Sequence, residues 1–308
     1  MNILSFAIST VLIILVSYGI SSAQDVVLYG AASDDCVAEF GSIDSSLYLV
    51  NPNTAETEHI GHIGFDGVTG LAFLPGGLLV GSAKGETGDN PKFAILISIN
   101  PETAAGSLIG TIGDGNVDGE CARAPDLTYD GATDTLFATG DDCDGGDYLQ
   151  FINQATGHGT LIGTYNPFNG GGNGLAISDN GVLFVTANEA FITVNRDTGA
   201  PTFIGNLTLP RDVFVNALAF HPITGELYGS TIEQSGLPTE RSSTLVKIDT
   251  ATGAVTEVGE LPNCFDALIF AEVEREPIPA LSEWSAIAAA GVLGIFGLYA
   301  LRRRKAVA

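Results

Sequence analysis

Two apolar runs bracket this chain, and between them the hydrophobic pattern is that of strands. Ile3 to Ile20 is rich in Leu, Ile and Val, and Ser285 to Leu301 forms a second run closed by Arg302, Arg303, Arg304 and Lys305. From Asp25 to Glu272 apolar residues come in short runs broken by polar, Gly-containing turns, with no long stretch of helical period. Composition agrees: 39 Gly alongside many Thr, Val, Ile and Leu suit an all-β chain with tight turns.

Self-comparison exposes a repeat of roughly fifty residues, the range in which propellers and solenoids fall. One half is a strand, a polar turn and a strand ending in Ile/Val-Gly. It begins at Leu47, Leu96, Leu149, Phe191 and Leu245, turns at Asn51, Asn100, Asn153, Asn195 and Asp249, and ends at Gly61, Gly110, Gly163, Gly205 and Gly259. The Asn or Asp heading each turn bonds the local backbone, and Gly accepts positive φ. The other half starts at Leu71, Leu127, Leu175 and Leu218 and rises to Leu79, Leu136, Leu183 and Leu227. Its fifth copy is split: Leu268-Ile269-Phe270 ends the domain and Leu28-Tyr29-Gly30 begins it. Five four-stranded units with one shared between the termini predict an all-β, five-bladed β-propeller, closed by pairing of N- and C-terminal strands so that no sheet edge is left open. An open two-sheet sandwich is the alternative.

The flanks predict export. Ser21-Ser22-Ala23 after the first apolar run is a small-residue cleavage site, although no Lys or Arg precedes that run. The second run, about 17 residues, is at the lower limit for crossing a bilayer, and its basic end is expected to stay cytoplasmic. The expected organisation is a signal peptide at 1–23, the propeller at 24–272 and a linker with sorting motif at 273–284. A transmembrane helix at 285–301 and a basic cytoplasmic tail at 302–308 complete it.

The segment Ile278-Pro279-Ala280-Leu281-Ser282-Glu283-Trp284, followed by the short helix and the Arg-rich end, resembles C-terminal sorting signals of the PEP-CTERM type. More narrowly it is similar to the IPTL-CTERM variant, whose core reads Ile-Pro-Thr-Leu-x-x-Trp-Gly; here Ala280 stands for the Thr and Ser285 for the Gly. The resemblance implies recognition of Ile278, Pro279, Leu281, Glu283 and Trp284 by an exosortase-type membrane protease. It also implies a membrane-tethered precursor, delivered to the cell surface or extracellular matrix of a Gram-negative bacterium. A plain C-terminal anchor is the alternative.

Charge narrows the partners. The net charge is −24, and four of the 12 basic residues lie in the tail, so the exported part is still more acidic. Nucleic acid and anionic membrane surfaces need Lys and Arg to neutralise phosphate, so neither is an expected partner of the propeller. Surface polysaccharides, proteins and cations remain.

Four sets of residues are candidates for chemistry. An even cysteine count in an exported domain predicts disulfides, paired within blades as Cys36–Cys264 and Cys121–Cys143, with a Cys₄ zinc site as the alternative. Asp114, Asn116 and Asp118 have the alternating oxygens of a calcium loop, with Asp142, Asp144 and Asp147 as further donors; Pro125 occupies the place of the distal Glu. Thr69, Pro125, Asn173, Asn216 and Asp266 each stand two residues before an inner-strand Leu and are expected to ring the mouth of the central channel; Thr69, Asn173, Asn216 and Asp266 are the candidate ligand residues there, against a ring that only packs structural water. His59, His62, His158 and His221 accompany no nucleophile or hydrolase motif and are read as structural or exposed, so no catalytic residue is assigned. The expected function is a non-enzymatic binding module. The alternatives are an extracellular polysaccharide hydrolase or lyase using acidic-face carboxylates, and a structural surface-layer component.

Overall fold

The computed structural model describes residues 24–33, 44–85, 93–113, 123–141, 146–168, 174–233 and 243–274. Both terminal apolar runs, the sorting motif, Cys36, Cys121, Cys143, Asp114, Asn116, Asp118, Asp142, Asp144 and Asn173 lie outside them. Among the described residues no helix is long and apolar enough to cross a membrane.

The described strands form five four-stranded sheets, as the repeat predicts. The closing blade runs, from inner to outer edge, β20 (Cys264–Glu274), β1 (Gln24–Ser33), β2 (Asp44–Val50), β3 (Thr57–Asp66). The second blade is β4 (Gly70–Leu74), β5 (Leu78–Lys84), β6 (Ala94–Ile99), β7 (Gly106–Thr111). The third is β8 (Leu127–Asp130), β9 (Thr135–Asp141), β10 (Asp147–Ile152), β11 (Gly159–Thr164). The fourth is β12 (Leu175–Ile177), β13 (Leu183–Ala187), β14 (Ala190–Val194), β15 (Pro201–Asn206). The fifth is β16 (Val213–Phe220), β17 (Leu227–Glu233), β18 (Ser243–Ile248), β19 (Val255–Leu261). Pairing of β1 with β20 joins the two ends of the domain in one sheet, so the split repeat is a real blade.

Local chemistry sets the turns. Asn100 Oδ1 accepts from the Glu102 and Thr103 amides at 2.9 Å each, and Asn195 Oδ1 from those of Asp197 and Thr198 at 2.9 and 3.0 Å. The position closing this turn takes positive φ, as Gly157, Gly199 and Gly253 in three blades and as Ala55 and Ala104 in the other two.

The glycine ending each repeat does a second job. A register shift in each β-ladder between third and fourth strands marks a bulge beside Gly61, Gly110, Gly163, Gly205 and Gly259. Each of these glycines lies against the turn of the next blade, nearest to the carbonyl oxygens of Thr103, Thr156, Thr198, Thr252 and Thr54 respectively. The series is cyclic. The fifth blade's Gly259 meets the closing blade's Thr54, so the ring is sealed at its rim as well as by the shared sheet. Apolar clusters fill the gaps between neighbouring sheets; one joins Tyr48, Leu28 and Leu268 of the closing blade to Tyr228 and Leu245 of the fifth.

Candidate functional site

The inner strands carry their small residues at the axis, and a layer of hydroxyls sits behind them. Ser82, Thr139, Thr186 and Ser230 occupy the same place in four second strands, and all are buried. Thr186 Oγ1 accepts from the Gly174 amide and donates to the carbonyl of Val215 in the next blade, both at 2.9 Å. Ser230 Oγ donates across the next gap to the Phe265 carbonyl at 2.7 Å. In the second blade Thr69 Oγ1 takes the corresponding acceptor, the Ala124 carbonyl, at 3.2 Å. Ser82 Oγ is left with no hydrogen-bond partner among the described residues. Ala31 fills the place in the closing blade, which lacks the hydroxyl.

Asp126 breaks the small-residue rule. It stands where the other blades have Gly70, Gly174, Ala217 and Ala267, and it is fully buried. Its Oδ1 accepts from the Leu127 amide at 2.8 Å, and its Oδ2 from the amides of Leu175 and Leu218 at 2.8 and 3.3 Å. One carboxyl group thus ties the inner strands of three blades together. Burial pushes its pKa well above the usual carboxylate range, against the lowering effect of the three amides.

The predicted ring is partly assembled. Asn216 sits in a bulge of β16, where Val215 and Ala217 pair with consecutive residues of β17, so it is left out of the ladder. Its Nδ2 donates to Asp266 Oδ1 at 3.0 Å, and its buried Oδ1 accepts no hydrogen bond from the described residues. Burial raises Asp266 to about 6, opposed by the Asn216 hydrogen bond and by the positive charge of Lys84. Thr69 is engaged with Ala124 as above, and Pro125 is partly buried beside it. The mouth therefore offers a titratable carboxyl, a carboxamide with a spare acceptor, a hydroxyl and a nearby ammonium.

Asp126 and Lys84 were not anticipated as parts of this channel. The repeat held the signal for Asp126, because aligning the inner strands sets one carboxylate against four small residues. Lys84 is the last residue of β5, a position that varies among the blades, and had no such signal.

Of the other predicted site residues, Asp147, Cys264 and the four histidines lie among the described ones. Asp147 opens β10 opposite Asp141, buried to 2% exposure rather than projecting from an open loop. Among the described residues no group of three or more His, Cys, Asp or Glu is placed to hold a metal. Cys264 is buried and is not a free thiol. Of the predicted histidines, His221 heads the turn between β16 and β17, where its Nδ1 accepts from the Ile223 and Thr224 amides at 3.2 Å each, as Asp130 Oδ1 accepts from the Ala132 amide in the third blade.

No family model and no curated protein matches this sequence. Among solved structures, the chain is similar to one in the crystal structure of a nidogen/laminin complex, with a TM-score of 0.48 and 13% identity over 80% of this chain and 98% of that one. It is also similar to a structural-genomics protein of unknown function from Bacteroides thetaiotaomicron, with a TM-score of 0.44 and 15% identity over 76% of this chain and 50% of that one. The five-bladed architecture rests on the strand order above and not on these likenesses.

Proposed function

We propose that this chain is an exported, non-enzymatic binding module, sorted by an exosortase-type protease to the cell surface or extracellular matrix of a Gram-negative bacterium. The observation that carries the binding reading is the Asn216–Asp266 pair, hydrogen-bonded at the channel mouth with a buried amide oxygen to spare. A spare buried acceptor costs free energy until a donor fills it, and a ligand hydroxyl is such a donor. With Thr69 and Lys84 alongside, the mouth suits neutral polysaccharide, rich in groups that donate and accept. The acidic balance of the chain fits that choice and disfavours polyanions. Export rests on the terminal segments: the apolar run with Ser21-Ser22-Ala23, and the Pro279 and Trp284 motif before Ser285 to Leu301. The pairings Cys36–Cys264 and Cys121–Cys143 belong to the same oxidising compartment.

A polysaccharide hydrolase or lyase is the second reading, favoured by Asp266 alone, whose pKa of about 6 suits a general acid. One experiment separates the two. The full chain is applied to an array of neutral bacterial polysaccharides, and product release is followed by chromatography. Binding without turnover that is lost in Asn216→Ala supports the module; turnover lost in Asp266→Asn supports the enzyme. Binding and turnover both absent would leave a structural surface-layer role. Processing of Pro279→Ala and Trp284→Ala at the normal rate in the native host would reduce the tail to an anchor.

A further inference from the structure

We infer that His59 and His62 form a binding site for a borderline divalent transition ion, Cu²⁺ or Zn²⁺, on the outer strand of the closing blade. Residues three apart on a regular strand point to opposite faces. The bulge in β3 changes that: Ser46 pairs with His62, and Tyr48, two residues on, pairs with His59. Both imidazoles therefore lie on the face shared by Ser46 and Tyr48, with ring centroids 5.4 Å apart.

The surroundings orient both rings. His62 Nδ1 is 3.1 Å from Oγ of Ser46, which is fully buried. With the proton on Nδ1 donated to that oxygen, Nε2 keeps its lone pair for an ion, the usual arrangement behind a metal-ligating imidazole. His59 packs edge-to-face on Tyr48 at 5.1 Å, and the Tyr48 hydroxyl is held by Asn263 Nδ2 at 2.9 Å. Two neutral imidazoles with water completing the coordination suit Cu²⁺ above Zn²⁺, and both above the oxygen-seeking Ca²⁺ and Mg²⁺. The acidity of the chain raises the local concentration of cations of any kind.

The pair owes nothing to the repeat. The same two bulge positions hold Leu108 and Thr111, Leu161 and Thr164, Phe203 and Asn206, and Glu257 and Glu260 in the other blades. Only the closing blade puts two metal-ligating nitrogens there.

The test uses the untagged full chain in detergent, titrated with Zn²⁺ by calorimetry and with Cu²⁺ by electron paramagnetic resonance. The expected result is one ion per chain, with nitrogen superhyperfine structure from two imidazoles. Uptake should weaken on acidification, because protons compete with the ion for the ligating nitrogens. His59→Gln and His62→Gln should each weaken affinity at least tenfold, and Ser46→Ala by about tenfold, the lower end for a supporting group. His158→Gln and His221→Gln should leave it unchanged. Equal unfolding temperatures for wild type, His59→Gln and His62→Gln without metal would show that the blade is intact. No uptake by the wild type in metal excess, or undiminished uptake by both His59→Gln and His62→Gln, overturns the site.

Discussion

Replacing Gly110 by alanine should weaken the ring at one rim contact without touching either blade's core. Gly110 lies outside the left-handed φ region, so alanine brings no backbone strain there. Its obstacle is the neighbouring blade: a Cβ would lie 2.9 Å from the Thr156 carbonyl carbon and closer still to its oxygen. Real Cβ atoms essentially never come within 3.0 Å of another heavy atom, so the turn from Asn153 to His158 must retreat. That turn is backbone held in place by the Asn153 side chain and by the Gly159 amide, which donates to the Ile112 carbonyl at 2.7 Å across the gap.

Forcing a methyl group into such a contact costs about 1–3 kcal/mol, and losing the interblade hydrogen bond adds roughly 1 kcal/mol. For a domain of this size, about 2–4 °C of unfolding temperature goes with each kcal/mol, so the midpoint should fall by roughly 5–15 °C. Gly131 is the control. It too has an ordinary φ, and the nearest atom to its Cβ would be Tyr129 Cε1 at 3.8 Å. Gly131→Ala should be neutral, or stabilising by about 0.4–1 kcal/mol through the unfolded chain. Differential scanning calorimetry on both variants decides the matter. If Gly110→Ala melts within a degree or so of Gly131→Ala, the rim glycines are not what closes the ring.

Two further predictions concern the channel. Asp126→Ala leaves three buried amides without their acceptor, each at about 1–3 kcal/mol before channel water restores part, so a net loss near 3 kcal/mol is expected. Hydrogen exchange should quicken at Leu175 and Leu218 together, and a local effect at Leu127 alone would refute the three-blade tie. For Asp266, the folded pKa of about 6 stands above the ordinary 3.8, so the native state binds the extra proton and stability declines as pH rises through that interval. Asp266→Asn should flatten the decline and melt higher than wild type above pH 6, and parallel curves for the two proteins would count against the raised pKa.

Much of this architecture is legible in the sequence because the repeat is written in residues with narrow backbone roles. Asn and Asp head the turns because their side chains mimic a backbone acceptor, and the terminal Ile/Val-Gly marks a close approach that no side chain permits. The split copy at Leu28 and Leu268 announces closure because a blade lacking strands at one end must find them at the other. What stayed hidden depends on three-dimensional convergence. The Asn216–Asp266 pair joins positions fifty residues apart, and the register of the repeat names the two positions but not the bond. Asp126 reads locally as one acidic residue in an acidic chain; only the axis makes it the acceptor for three strands.

The histidine pair shows why outer-strand chemistry escapes a pattern reading. Alternation assigns residues 59 and 62 to opposite faces, and only the bulge reverses the assignment. The glycine that makes the bulge is present in all five blades, since the rim contact requires it there. The rim contact is made through backbone, so the side chains two before and one after that glycine vary freely among His, Leu, Thr, Phe, Asn and Glu. In a ring built this way the glycine is constrained by closure, whereas its neighbours are brought to one face at no further structural cost. A propeller that acquires a new ligand site on its outer strands therefore needs only two substitutions beside a bulge it already has, as the closing blade illustrates with His59 and His62.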